Sequence, residues 1–176
     1  MKLALAEAKR ILEAKKELYD PHPWGPVNNR TGSTPLSFSA RVRLDGGAYR
    51  GLWFRASTFT DNPDTGMFQL DMERPGVRAH LPLYRLDWRP FRAHLNGPDG
   101  PEELRGLLFK EGVTHEHICL FDADDKGEIR SGNLETAKIV TPDPGGFQEA
   151  LTYVCATLSI MNQDDIPPAS SQGRMV

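Results

Sequence analysis

Residues 36–57 read LSFSARVRLDGGAYRGLWFRAS. Leu36, Phe38, Ala40, Val42 and Leu44 alternate with Ser37, Ser39, Arg41, Arg43 and Asp45. Successive side chains of a strand point to opposite faces, so this period of two describes a strand with one apolar and one polar side. Asp45-Gly46-Gly47 supplies turn chemistry and Tyr49 to Ser57 gives a second strand, which makes the stretch a β-hairpin. Arg41, Arg43, Arg50 and Arg55 lie on or beside it, either as a solvated sheet face or as an anion-binding surface.

Working outward, the alternation recurs. TDNPDTG (60–66) is a turn, and MFQLDMERP (67–75) directs Phe68, Leu70 and Met72 inward. HLPLYRLDW (80–88) reads as a strand that is broken or at an edge, because Pro82 cannot donate to a ladder. LRGLLFK (104–110) and THEHICLF (114–121) read as two more strands joined by a Glu111-Gly112 turn, with a short strand at Ala137–Val140. Before the hairpin, Leu5, Ala8, Ile11, Leu12 and Leu18 recur at helical spacing and predict an amphipathic helix ending before Pro21. PHPWGPVNNRTGSTP (21–35) then reads as a loop. At the other end, TPDPGGFQEALTYVCATLSIMN (141–162) predicts a helix capped by Asp143, with Pro144 in its first turn. Its buried stripe is Phe147, Ala150, Leu151, Val154, Leu158 and Met161. The expected fold is α+β: an antiparallel, strongly bent sheet or partial barrel with an N-terminal and a C-terminal helix packed on it. Residues 1–166 form a single domain and 167–176 a flexible tail.

Composition narrows the function classes. The chain has 176 residues, 39% hydrophobic and 26% charged, with a net charge of −3. That balance suits a soluble globular domain and argues against broad non-specific nucleic-acid binding. Glu7, Lys9 and Arg10 interrupt the N-terminal apolar run, which excludes a signal-peptide reading of that segment. No apolar stretch approaches the ~18 residues of a membrane span, so a cytoplasmic location without membrane partners is expected. Cys119 and Cys155 sit in apolar patterns and read as reduced core thiols. DADDKG (122–127) has the acidity of a calcium loop, but Asn133 stands where an EF-hand needs glutamate.

The chemistry-bearing residues gather in one window. GVTHEHICLFD (112–122) puts His115, His117, Cys119 and Phe121 on one strand face and Glu116 on the other. The preceding loop, RPFRAHLNGPDGPEE (89–103), carries Arg89, Arg92, His94, Asn96 and Asp99. If the loop folds beside the following hairpin, three imidazoles offer a general base and a general acid. Arg89, Arg92 or Lys110 would then stabilise charge on a phosphoryl or acyl oxygen. The same inventory suits a metal site, with His94, His115 and His117 as nitrogen ligands and Asp99 or Glu116 completing it. Partly exposed histidines bonded to backbone, beside a Pro98-Asp99-Gly100 turn, are the plain alternative. Trp24, Trp53, Trp88 and Phe91, with nearby arginines, are candidate interface anchors.

HLNGPDG (94–100) followed by THEHICLF (114–121), and preceded by YRLDWRP (84–90), resembles a family of short uncharacterised proteins of bacteria and mobile elements. Its pattern is an H-x-N-P-D-G loop followed by an H-x-H strand. EAKRILEAKK (7–16) and DPGGFQEALTYV (143–154) extend the resemblance, and Gly97 departs from it as an inserted residue. The resemblance implies that His94, Asn96, Asp99, His115 and His117 act as one set, and it carries over no reaction. One reading is a binding protein, acting on a protein or protein–nucleic acid complex as an inhibitor of host defence or as an antitoxin. Its contacts would be Arg89, Arg92, Asn96, Asp99 and Trp88. The other is a metal-independent phosphodiesterase or ribonuclease without a cofactor, with His115 or His117 as base and His94 as acid. A small-molecule ligand is compatible with either.

Overall fold

A computed structural model describes residues 3–27, 35–74, 77–129 and 134–169. Residues 28–34 of the expected loop, 130–133 of the acidic loop and 170–176 of the expected tail lie outside the described residues. In chain order the elements are β1 (Leu3–Ala4), α1 (Leu5–Glu13), β2 (Lys16–Pro26), β3 (Pro35–Leu44), β4 (Gly47–Phe59), β5 (Gly66–Arg74) and β6 (Val77–Trp88). There follow β7 (His94–Leu95), β8 (Leu108–Phe109), β9 (His115–Ile118), β10 (Glu128–Ile129), β11 (Ala137–Ile139) and α2 (Phe147–Thr157).

Seven strands form one sheet in the order β11-β9-β6-β5-β4-β3-β2, with every neighbouring pair antiparallel. The outermost strands, β2 and β11, do not pair with each other, so the sheet is open and does not close into a barrel. The alternation read from sequence sorts its two faces. Phe38, Ala40, Phe54, Ala56, Phe68, Leu70 and Leu86 turn to one side and are fully buried or nearly so. Buried residues of α1 (Ala8, Ile11) and α2 (Ala150, Leu151, Val154, Cys155) belong to the same apolar cluster. The opposite face is polar across several strands. Ser39 pairs with Arg55, Arg55 with Gln69, Gln69 with Arg85, and Arg85 with His117.

Four local expectations are corrected. The first helix stops at Glu13, and Leu18 lies buried on β2 rather than on a helical stripe. PHPWGP belongs to β2, not to a loop. Its prolines are tolerated because β2 is an edge strand, with register shifts between Tyr19 and Gly25. Pro82 sits in an interior strand, at a shift in the β5–β6 register and beyond the segment Tyr84–Asp87 that pairs with β9. Its missing N–H therefore falls where no ladder bond is needed. Asp143 does not cap α2, whose N-cap is Gly146; the carboxylate binds Arg89 and Thr114 instead.

Lys16 ends α1. Its ammonium is buried and donates to the carbonyls of Leu12 (2.9 Å), Ala14 (2.8 Å) and Leu158 (2.8 Å), so one side chain satisfies the last turns of both helices. Burial pushes the Lys16 pKa down to about 8. Lys16→Met keeps the stem and leaves three carbonyls without their donor. It should lower unfolding stability by about 2–4 kcal/mol in a urea titration, and a loss under about 0.5 kcal/mol would contradict this role.

Candidate functional site

The polar sheet face ends at β9, and the chain between β6 and β9 folds back over it. β9 pairs with β6 so that Asp87 stands opposite His115 and Arg85 opposite His117. The expected hairpin between 104–110 and 114–121 does not form. Leu108–Phe109 pairs instead with His94–Leu95, which brings His94 back beside His115 and His117. Ring centroids lie 5.4 Å apart for His94–His115, 4.8 Å for His94–His117 and 5.1 Å for His115–His117. One nitrogen from each ring lies within 4.8 Å of one in each other ring, so these three residues could hold a metal ion. Phe109 stands against His115 at 5.0 Å between centroids.

Asn96 fixes the loop that carries His94. Buried, it donates to the carbonyls of Leu104 (2.7 Å) and Ala137 (2.8 Å), and its Oδ1 accepts the Ala137 amide (2.8 Å). That same oxygen is 2.9 Å from His94 Nε2, which also faces the Glu135 carbonyl at 3.0 Å. Both neighbours accept, so Nε2 carries the proton and Nδ1 the lone pair. His115 has the opposite tautomer, because its Nδ1 faces the Val113 carbonyl at 2.8 Å. Gly100 holds the Pro98-Asp99-Gly100 turn close to β11: its φ is +88°, and a Cβ there would meet Thr136 Oγ1 at 2.7 Å.

Asp87 is the electrostatic centre. Its Oδ2 lies 3.0 Å from Arg85 Nε, 3.5 Å from His115 Nε2 and 3.3 Å from His117 Nε2. Burial raises the Asp87 pKa, but the close His115 and His117 rings and the Arg85 charge outweigh it and hold the carboxyl well below its usual range. His117 is fully buried, with Nε2 2.9 Å from Arg85 Nη2 and Nδ1 without a hydrogen-bond partner among the described residues. Burial, helped by Arg85 and His115 and opposed by Asp87, pushes its pKa down to about 4.

A groove of about 390 Å³ opens beside the cluster, lined by Phe59, Met67, Phe91, Arg92, His94 and His115, among others. Of the expected contact residues, Arg92 lies in this groove, while Asn96 is buried as a support. Arg89 is held by Asp143 and the Pro144 carbonyl, and neither it nor exposed Asp99 lines the groove. Trp88 is fully buried with its indole donating to the Pro144 carbonyl, so it is corrected from anchor to core residue. Glu116 points to the core, where Tyr84 and Tyr153 donate to its Oε2 at 3.0 Å each, and cannot join the histidines. Asp87, Arg85 and Phe109 were missed in sequence. Asp87 and Arg85 become visible once β6 is paired in register with β9.

With no cation bound, the unfolded chain takes up a proton at His117 near pH 6.5 and the folded chain only near 4, so stability falls as pH is lowered across that window. The loss should reach about 2–3 kcal/mol in urea midpoints measured at successive pH values, and His117→Asn should flatten the slope. A wild-type midpoint unchanged between pH 7 and 4.5 would contradict the buried neutral imidazole. The chain matches no protein-family model, no curated protein and no solved structure.

Proposed function

We propose that the chain is a small hydrolase that cleaves a phosphodiester in the groove beside His94, His115 and His117. The observation that carries this reading is the convergence of three imidazoles from two separate chain segments next to an open groove. A strongly bent sheet backed by both helices is the scaffold this reading assumes. Water attacks phosphorus, one P–O ester bond breaks, and the leaving oxygen takes a proton; in RNA the neighbouring 2′-hydroxyl can replace water as nucleophile. Three imidazoles support this through proton carriage or through a ligated cation that activates water. Either way the reacting atoms sit at His94 and His115, which line the groove, with Arg92 placed to meet the phosphate. Phe59 and Phe91, 5.4 Å apart between centroids, offer a stacking surface for a base.

The wild-type chain should turn over RNA, a cyclic nucleotide or an activated phosphodiester. His94→Ala and His115→Ala should each lower kcat/KM at least about 100-fold while keeping the circular dichroism of the fold. Turnover undiminished in both variants, or absent in the wild type on all three substrates, overturns the reading.

A second reading is favoured by a different observation. Leu95 and Leu108 are cross-strand partners on β7 and β8, 64% and 61% exposed, with exposed Leu107 next in the chain to Leu108. Such a patch suits docking on a macromolecular partner, such as a host defence complex or a toxin. Under this reading Leu95→Asp with Leu108→Asp abolishes co-purification of that partner and leaves phosphodiester turnover unchanged. Retention of the partner by the double variant would sink it.

A further inference from the structure

We infer that His94, His115 and His117 bind one divalent transition-metal ion of the zinc class at the floor of the groove. The inference deepens the hydrolase reading and rests on it only for the reaction, since the ligand set is argued from the placement of the three rings alone.

The ligand set is the first argument. Three ring nitrogens lie within 4.8 Å of one another. A tetrahedral ion with Zn–N bonds near 2.1 Å needs them about 3.4 Å apart, so the rings close by roughly 1.4 Å at most on binding. Nitrogen donors alone suit zinc, cobalt, nickel or copper and disfavour magnesium and calcium.

The supporting hydrogen bonds are the second. His94 spends its proton on Asn96 Oδ1 and the Glu135 carbonyl, and His115 spends its proton on the Val113 carbonyl. A metal-bound histidine needs such an acceptor on its other nitrogen, to fix the tautomer and keep the lone pair for the ion. On His117 the acceptor is Asp87 Oδ2, 3.3 Å from Nε2, which the Arg85 guanidinium also faces, and Nδ1 is the nitrogen without a hydrogen-bond partner among the described residues.

His115 and Asp87 also meet in a way that a cation would stabilise. With its proton on Nδ1, His115 turns the lone pair of Nε2 toward the Asp87 carboxylate at 3.5 Å. Two electron-rich groups face one another at the groove, with Arg85 Nε 3.0 Å from the same carboxylate oxygen, and a positive charge between them would turn the contact attractive. A metal ion supplies that charge and engages all three rings. A lone proton on His115 would answer only this contact and leave His117 Nδ1 as it is.

His94 and His115 line the groove, so an ion on these rings keeps a coordination position open to it, as catalytic rather than structural zinc does. An ion held there would supply a water acidic enough to attack phosphorus near neutral pH as the ester P–O bond breaks. The released alkoxide takes a proton from solvent.

Chelator-stripped protein titrated with Zn(II) by calorimetry, and with Co(II) followed by visible absorption, tests the inference. The expected result is one ion per chain with a tetrahedral Co(II) spectrum. Affinity should fall at least about 100-fold in His94→Ala and His117→Ala, and stay unchanged in His22→Ala and His80→Ala, which lie outside the cluster. His94 is only partly buried, so His94→Ala tests ligation even if His117→Ala fails to fold. Binding that survives His94→Ala at full affinity, or no stoichiometric binding, overturns the metal site. Full phosphodiester turnover by the stripped protein overturns the metal as cofactor and leaves the hydrolase reading standing. Tight one-to-one binding without turnover of any phosphodiester leaves the metal site standing and removes the hydrolase.

Discussion

The antiparallel pairing of β6 with β9 is the constraint on which the site depends. Its register sets Asp87 opposite His115 and Arg85 opposite His117, so two imidazoles, a carboxylate and a guanidinium share one sheet face. A shift of one residue would turn His115 and His117 toward the core and Glu116 toward the groove. The present register is favoured from both sides. Tyr84 and Tyr153 satisfy the Glu116 carboxylate in the interior, while Arg85 and Asp87 meet the histidines opposite. Each face therefore opposes slippage, and a buried polar group left without its partners on either side would cost several kcal/mol.

Once that pairing is set, the remaining geometry comes from the excursion between the two strands. The chain leaves β6 after Trp88, whose ring is sealed in the core, and returns to β9 at His115. In between, the short β7–β8 pair places His94 over the face that β6 and β9 have made. Asn96 and Gly100 hold this arch down at two points. Asn96 bonds to both the Leu104 carbonyl and the backbone of Ala137, and Gly100 permits a close approach to Thr136. Leu95 and Leu108 project outward from the same arch, so the groove and the exposed apolar patch are neighbours by construction.

Much of this architecture is legible in the sequence, for reasons that can be named. Strands at 36–44 and 66–72 show themselves because one face is apolar and the other is not, and the period of two survives every interruption. The shared face of His115 and His117 follows from the same rule. What escapes is pairing between strands distant in sequence. LRGLLFK and THEHICLF look like a hairpin because they are adjacent and joined by a turn, yet each pairs with a segment further up the chain. Arg85 and Asp87 read as ordinary polar positions of an alternating strand until β9 is placed beside them. Near the N-terminus, Leu18 continues a helical spacing by coincidence. Lys16 decides the boundary through a buried contact with the Leu158 carbonyl, 142 positions away, which no local pattern reveals. Prolines in β2 mislead for a related reason, since whether they are tolerable depends on the strand being an edge.

Three histidines from two chain segments converge at the groove, and their joint ligation of one cation is the central inference to test. The most direct measurement is a crystal structure of the zinc-soaked protein with anomalous data collected on both sides of the zinc edge. It should show a single edge-dependent peak at bonding distance from a ring nitrogen of His94, His115 and His117, with the groove open to the remaining position. A peak elsewhere, or a cluster whose rings stay apart around no scatterer, would contradict it.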